Sequence, residues 1–215
     1  MRSSRFPDPR TAPADEPLAH GGDVEPDTLL EAYTQGIFPW PDPDGYLWWW
    51  SPDPRAILPL DGFHVSRSLQ RTLRAKRFTH TTDQAFAEVM AACAERPDPH
   101  EGTWITPWLA EAFLRMHQLG YAHSVEVWDT HGGLVGGVYG LALGGAFMAE
   151  SMFYRATDAS KVALHALVTH LRTRGFGLLD VQMPTAHLES LGARTIPRSA
   201  YLERLSDALA ADAHW

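Results

Sequence analysis

Hydrophobic positions in the first half of the chain recur with the 3.6-residue period of amphipathic helices. Three stretches show this period: PDTLLEAYTQGIF from Pro26, DQAFAEVMAACAERP from Asp83 and TPWLAEAFLRMHQLG from Thr106. We expect the first helix to stop at Gly36, and the third to begin at Pro107 and stop at Gly120, since proline is favoured at helix starts and glycine at helix ends.

After Gly120 the hydrophobic period changes to two, which is typical of strands. AHSVEVWD, LVGGVYGLAL and GAFMAESMFY are joined by short glycine turns and predict an antiparallel meander. A helix (DASKVALHALVTHLRTRG), a buried strand (FGLLDVQM) and two further helices (TAHLESLG and SAYLERLSDALAA) follow. This order predicts an α+β fold of the acetyltransferase type, with a mixed sheet and flanking helices.

The N-terminal part of the chain differs in composition from the rest. Residues 1–20 are rich in Pro, Asp, Arg and Ala without periodicity and predict a disordered leader. Residues 21–60 are crowded with Pro and Trp and predict a small N-terminal domain, so the acetyltransferase-like domain would occupy residues 61–215. In the stretch GYLWWWSPDPRAIL, three consecutive tryptophans cannot all enter one core, which leaves at least one ring for a base or flat ligand or for the domain junction.

Charge restricts the possible partners. The 215-residue chain has a formal net charge of −8, which argues against coating nucleic acid along its length. One local cluster could still hold a phosphate backbone, or could be an ordinary solvated face: Arg67, Arg71, Arg74, Lys76 and Arg77. No apolar run is long enough for a membrane span and the N-terminus lacks a signal-peptide core, so we expect a cytoplasmic protein without a membrane partner.

The sequence lacks the motifs of the common cofactor-binding and metal-binding sites. There is no P-loop, the 11 histidines lack metal-ligand spacing, and the single Cys93 is expected to be a small core residue. We therefore expect neither a metal nor a cofactor. The turn RATDASK, where an acetyl-CoA enzyme would bind pyrophosphate, has no glycine, so the acyl donor is expected to be something other than coenzyme A.

Two carboxylates lie in otherwise apolar strands. Glu150 stands in FMAESMF and Asp180 in GLLDVQM. A buried charge must be paired or must sit at a site opening, so each is either part of a satisfied structural network or a catalytic group. Asp180 and Gln182 share a strand face, where a carboxylate and an amide could hold an amine and take a proton from it.

Several motifs together resemble the bacterial leucyl/phenylalanyl-tRNA–protein transferases. They include LLEAYTQGIFPW, LWWWSPDPRAIL, HVSRSL, EGTWIT, LVGGVYG, ESMF, ASKVAL, LLDVQ, HLESLGA and IPRSAYL, and they extend from about Gly21 to Leu202. The resemblance implies an enzyme that transfers leucine or phenylalanine, with methionine left open, from aminoacyl-tRNA to the N-terminal Arg or Lys of a protein. Such transfer marks the protein for degradation. The family is cytoplasmic and needs no metal, and we expect a monomer.

The resemblance also assigns site residues. Asp180 and Gln182 match the catalytic pair, with either as the base, and Glu150 matches the polar anchor of the aminoacyl-adenosine end. Trp49 and Trp104 match tryptophans around the terminal adenosine and the acceptor, although a register shift by one within the trio stays open. The basic cluster would hold the tRNA acceptor stem.

An apolar pocket for the transferred side chain is implied as well, formed by Val138, Phe147, Met152, Leu167 and Leu179. Val138 and Leu167 depart from the family pattern, which leaves the preference among leucine, phenylalanine and methionine open, because one methylene changes selectivity by only about 1–3 kcal/mol. Two rival functions are another acyltransferase of this fold and a non-catalytic reader of basic N-termini or aminoacyl-tRNA.

Overall fold

The computed structural model describes residues 4–95 and 103–215. Met1 to Ser3 of the expected leader, Arg96 and Pro97 of a predicted helix, and Glu101 and Gly102 of EGTWIT lie outside the described residues. The helices are a 3-10 turn (Pro9–Thr11), α1 (Pro26–Thr34), α2 (Arg67–Arg74), α3 (Phe86–Ala94), α4 (Pro107–Gln118), α5 (Ala159–Thr173), α6 (Ala186–Ser190) and α7 (Arg198–Leu209). The strands are β1 (Ala19–His20), β2 (Phe38–Pro39), β3 (Trp48–Trp50), β4 (Arg55–Ile57), β5 (Thr79–Thr82), β6 (Ala122–Trp128), β7 (Leu134–Leu143), β8 (Ala146–Tyr154), β9 (Leu178–Gln182) and β10 (Arg194–Ile196).

A seven-stranded mixed sheet organises the fold, in the order β10-β4-β9-β8-β7-β6-β5. The β6-β7-β8 meander is antiparallel, and α5 crosses over to β9, which is parallel to β8. Apolar side chains of α1, α3, α4 and α7 pack on one face, while those of α2 and α5 pack on the other. This arrangement confirms the predicted α+β class with flanking helices.

The parallel pair β8 and β9 separates toward its C-terminal end. The two strands pair only from Ala146 with Leu178 to Met148 with Asp180. Beyond that point, the register of β7 and β8 shifts by one residue and leaves Glu150 without a partner on β7. Such bulges often lie beside active sites because they redirect a side chain. We call the space between the diverging strands the strand gap.

Glycine makes this bulge possible. A Cβ atom at Gly140 would lie 2.1 Å from the carbonyl oxygen of Met148 and 2.6 Å from the ring of Phe147. Any side chain at this position would push β8 away from β7.

The N-terminal residues form a small three-stranded sheet in the order β1-β3-β2. The chain then enters the main sheet at Arg55, because β4 pairs with both β9 and β10. The main sheet therefore begins before the domain boundary that we expected at residue 60.

Residues 4–20 are packed on the protein, so the expectation of a disordered leader is wrong for them. Phe6 is only 8% exposed, and its ring meets that of Trp49 edge-on at 4.7 Å. The buried guanidinium of Arg198 donates hydrogen bonds to the carbonyls of Ala12 (2.6 Å) and Pro13 (3.1 Å). The segment is held by one aromatic side chain and by backbone carbonyls. Neither kind of contact produces a periodic pattern of hydrophobic residues in the sequence.

Across the described ranges, no helix combines the length and the apolar character required to cross a lipid bilayer.

Candidate active site

Asp180 is fully buried and its two carboxylate oxygens are saturated. The guanidinium of Arg55 donates from Nε to Oδ1 (2.9 Å) and from Nη2 to Oδ2 (2.7 Å). The hydroxyl of Tyr201 donates to Oδ2 (2.9 Å), and the backbone N–H of Gln182 donates to Oδ1 (2.8 Å). Burial opposes the charge of Arg55, but the Asp180 carboxylate outweighs this and raises the pKa of the guanidinium. The pair is therefore ionic.

Arg55 and Tyr201 were missed by the sequence reasoning. Arg55 is 1% exposed, and its guanidinium lies 4.4 Å from the ring centre of Tyr201 and 4.7 Å from that of Phe38. The sequence did contain a signal for Arg55, because this residue lies between prolines and an apolar run and is therefore expected to be buried. A buried cation requires a buried anion as its partner. Sequence alone does not pair it with a carboxylate 125 residues away.

Glu150 and Gln182 meet across the strand gap. The Gln182 side-chain amide donates to Oε1 of Glu150 at 2.7 Å, and both residues are 8% exposed. Oε2 of Glu150 is buried and has no hydrogen-bond partner among the described residues. The buried Tyr33 hydroxyl faces this carboxylate and favours its ionised form. The two groups do not, however, reach the geometry of a regular hydrogen bond.

Burial dominates the acidity of Glu150. It raises the pKa of this carboxyl to about 8, assisted by the negative charge of Asp180, while Tyr33, Arg55 and Gln182 act in the opposite direction. A carboxyl with this pKa is poised to exchange protons near neutral pH. Glu150 therefore combines a buried oxygen that has no hydrogen-bond partner among the described residues with a pKa suited to proton exchange.

Gln182 itself is held in an uncommon backbone conformation. Its φ is +61°, in the left-handed region that non-glycine residues rarely adopt. The hydrogen bond from its N–H to Asp180 lies within this turn. Asp180 thus fixes the backbone from which the Gln182 amide reaches Glu150.

The tryptophan trio divides between the two faces of β3. Trp49 is 2% exposed and donates its indole N–H to the carbonyl of Gly21 (2.9 Å). Trp49 is therefore a core residue, and its assignment to the adenosine site is wrong because its ring points into the core. Trp48 and Trp50 are half-buried on the other face, which agrees with a register shift of one.

Trp40 was missed and occupies the more suitable position. Its side chain is 37% exposed, and its ring centre lies 6.0 Å from that of Trp104. Trp40, Trp48 and Trp50 border an apolar cavity of about 480 Å³, together with Met183, which follows Gln182 directly. Trp40 ends the motif LLEAYTQGIFPW, to which the sequence analysis assigned no binding residue.

The five residues of the expected side-chain pocket do come together. Val138, Phe147, Leu167 and Leu179 are each at most 2% exposed and belong to one apolar cluster, and the partly buried Met152 packs against it. This cluster contacts α5 on the opposite face of the sheet from the Tyr33 and Tyr201 side chains. The five residues therefore share one cluster, and a pocket between them stays a prediction.

The basic cluster lies on and just after α2. All five of its cations are exposed, and none forms an ion pair with a described residue: Arg67, Arg71, Arg74, Lys76 and Arg77. Thr72 of α2 donates a hydrogen bond to Asp158, at the start of α5, at 2.9 Å. This contact holds the basic helix against the start of α5.

The start of α5 is occupied by protein groups. Asp158 has a φ of +68° and pairs with Lys161 at 2.9 Å. Its carboxylate stands where a pyrophosphate would need a positive helix end. Among the described residues, no group of three His, Cys, Asp or Glu side chains is arranged to hold a metal ion.

Solved structures that match the chain share little sequence identity with it. A GCN5-related N-acetyltransferase from Kribbella flavida has a TM-score of 0.41 and 12% identity over 79% of this chain and 60% of that one. The structure of L-PGS from Bacillus licheniformis has a TM-score of 0.44 and 12% identity over 75% of this chain and 52% of that one.

Sequence comparison gives a much closer relationship. Residues 57–206 match the family model for leucyl/phenylalanyl-tRNA protein transferase, and residues 22–53 match that family's N-terminal domain. A leucyl/phenylalanyl-tRNA–protein transferase from Anaeromyxobacter dehalogenans is 52% identical over 97% of this chain and 89% of the relative. One from Stutzerimonas stutzeri is 55% identical over 88% of this chain and 83% of the relative. The chain therefore belongs to the leucyl/phenylalanyl-tRNA–protein transferase family.

Proposed function

We propose that this protein transfers leucine or phenylalanine from aminoacyl-tRNA to the N-terminal Arg or Lys of other proteins. It acts in the cytoplasm as a monomer, without a metal or cofactor. The observation that carries the proposal is the Gln182–Glu150 pair, which places an amide and a partly unpaired carboxylate at the strand gap. Family membership supports the same reaction class.

The reaction requires an amine to displace an alcohol from an ester. The neutral α-amine of the acceptor attacks the carbonyl carbon of the aminoacyl ester, the new C–N bond forms, and the bond to the ribose oxygen breaks. The nitrogen loses one proton, and the ribose oxygen gains one. Because the ester is already activated, alignment and this proton transfer are the main tasks left to the enzyme.

Glu150 is the group best suited to accept that proton. Oε2 has no partner among the described residues, and its pKa of about 8 is close to that of an α-amine, which is also about 8. Gln182 is a neutral amide and too weakly basic for the task, but its carbonyl oxygen can accept a hydrogen bond from the attacking amine. Glu150 then passes the proton to the departing ribose oxygen.

Asp180 acts as a positioning residue in this account. Both of its oxygens already accept hydrogen bonds, and its side chain is fully buried. It holds the backbone of Gln182, and its charge raises the pKa of Glu150 in addition to the larger effect of burial. The sequence left Asp180 and Gln182 as alternative bases, and the geometry favours neither.

The tRNA would bind along the basic cluster of α2 and reach the strand gap with its terminal adenosine. Contacts to the backbone suit an enzyme that must accept several tRNAs, because they carry little sequence information. Trp40 and Trp104 offer a stacking surface beside the apolar cavity, and Met183 connects this cavity to Gln182. The transferred side chain would enter the apolar cluster that contains Phe147 and Leu179.

The proposal is tested by transfer of labelled leucine from Leu-tRNA to two versions of one reporter protein, beginning with Arg or with Met. The purified full chain is used without added metal or coenzyme A. We expect label on the Arg version alone. Intact Leu-tRNA with no label on either version would contradict the proposal and favour a non-catalytic reader. Equal label on both versions would contradict the specificity for basic N-termini.

A further inference from the structure

Trp215 occupies a defined position against the main sheet. Its indole N–H donates to Oδ2 of Asp83 at 2.8 Å, and its ring stacks on that of His123 at 4.7 Å. Nδ1 of His123 meets the same Asp83 oxygen at 2.8 Å. His170 of α5 contacts the indole at 4.3 Å. The Trp215 side chain is therefore held by a carboxylate and by rings from two different elements.

The indole of Trp215 also stacks on Phe147. The ring centres are 5.2 Å apart and the planes differ by 25°, which is an offset-stacked arrangement. Phe147 is fully buried in the apolar cluster with Val138 and Leu179. The Phe147 ring is also confined at Gly140, where even a Cβ atom would come within 2.6 Å.

The same indole supports a second member of the cluster. His170 and Leu167 are three residues apart on α5, so they lie on one side of the helix. Trp215 thus contacts Phe147 directly and contacts α5 one turn from Leu167. Neither the proposed proton transfer nor the proposed tRNA contacts involve this side chain.

We infer that Trp215 is a positioning residue that sets the amino-acid preference of the transferase by fixing the ring of Phe147. This inference rests on the proposed function, since it treats the apolar cluster as the pocket for the transferred side chain. Removal of the indole leaves space into which Phe147 can move, and the pocket then becomes larger. A larger pocket favours phenylalanine over leucine.

The test compares kcat/KM for Leu-tRNA and Phe-tRNA with the Arg reporter. In Trp215→Ala we expect the ratio to shift toward phenylalanine by about fivefold or more, since a methylene-sized change in an apolar pocket changes selectivity about 10- to 200-fold. Trp215→Phe keeps an aromatic ring and should retain the wild-type ratio. Trp215→Leu keeps apolar volume without the flat stack and should shift the ratio in the same direction as Trp215→Ala.

Trp128→Ala is the matched control. Trp128 is also half-buried and also donates its indole N–H to the protein, to Thr81 at 2.8 Å, but it does not stack on Phe147. We expect a loss of stability without a change in the ratio. Equal Leu-to-Phe ratios in wild type, Trp215→Ala and Trp128→Ala would overturn the inference. If Trp215→Ala does not fold, the ratio of Trp215→Leu is compared with that of the wild type instead, and equal ratios would again overturn the inference. Absence of transfer by the wild-type chain would instead overturn the proposed function.

Discussion

Asp180 and Glu150 are both buried carboxylates on adjacent strands, but their surroundings differ. Asp180 accepts four hydrogen bonds, two of them from a cation. Glu150 accepts one, from a neutral amide, and leaves Oε2 unpaired among the described residues. A saturated carboxylate stabilises structure, whereas an unsaturated one with a raised pKa retains the capacity for chemistry. This difference supports the proposal that Asp180 stabilises the site and that Glu150 transfers the proton.

Removal of Asp180 should have the largest effect on stability. Asp180→Ala leaves Arg55 buried without its anion, and we expect the free energy of unfolding to fall by about 3–5 kcal/mol. Urea unfolding followed by tryptophan fluorescence measures the change. The double variant Arg55→Met with Asp180→Leu should be more stable than Asp180→Ala, because it removes both charges. A loss of only about 0.5 kcal/mol, as at an exposed site, would contradict the supporting role of Asp180.

The distinction between a supporting residue and a substrate-binding residue also applies to two tryptophans. Trp49→Ala removes a buried ring and should lower the free energy of unfolding by about 3–5 kcal/mol. Trp40→Ala should instead raise KM for aminoacyl-tRNA roughly tenfold, since stacking of one base contributes about 1–3 kcal/mol. Unfolding curves and initial-rate kinetics distinguish the two effects. An unchanged KM in Trp40→Ala, with transfer otherwise intact, would remove Trp40 from the binding surface.

Substitution of Glu150 should affect the rate more than the fold. In Glu150→Gln we expect single-turnover transfer to slow about 100-fold, as for loss of a general base. The matched control is Glu126→Gln, because Glu126 is also fully buried and accepts hydrogen bonds from Ser124 and Thr81 away from the strand gap. Glu126→Gln should change the rate little. Equal slowing in both variants would indicate a general effect of removing a buried carboxylate.

Glu150 should also have a smaller effect, on the pH dependence of the free energy of unfolding. Its pKa is raised from 4.5 to about 8 in the folded state, so the folded state binds more protons than the unfolded state between these values. The free energy of unfolding of the wild type therefore loses this contribution as the pH rises from about 4.5 to 8. Glu150→Gln should not show that loss, and by pH 8 its free energy of unfolding should exceed that of the wild type by roughly 1–3 kcal/mol. A constant difference between the two proteins across this range would contradict the raised pKa.

The sequence predicted four of the seven strands of the main sheet (β6, β7, β8 and β9), because these strands carry local signals, and it missed β4, β5 and β10. Alternating hydrophobicity identified the meander, and a charge within an apolar strand identified Glu150 and Asp180. The leader could not be predicted in this way. Phe6 is a single anchor, and the contacts of Arg198 to Ala12 and Pro13 are made by backbone carbonyls, which every residue carries.

Parts of the site required the three-dimensional structure. Alternation separates Trp49 from its two neighbours, but it does not say which face of β3 meets the core. The pairing of Arg55 with Asp180 joins distant segments and depends on β4 lying beside β9. The unpaired oxygen of Glu150 arises from a bulge, which changes the direction of one side chain without altering the hydrophobic pattern.

The pH dependence of kcat/KM most directly tests Glu150 as the proton acceptor. In the wild type, transfer requires both a neutral amine and an ionised Glu150, each with a pKa of about 8, so log(kcat/KM) should rise with a slope of about two below about pH 7. In Glu150→Gln only the amine remains to be deprotonated, and the slope should fall to about one. Equal slopes in the two proteins would contradict the role of Glu150.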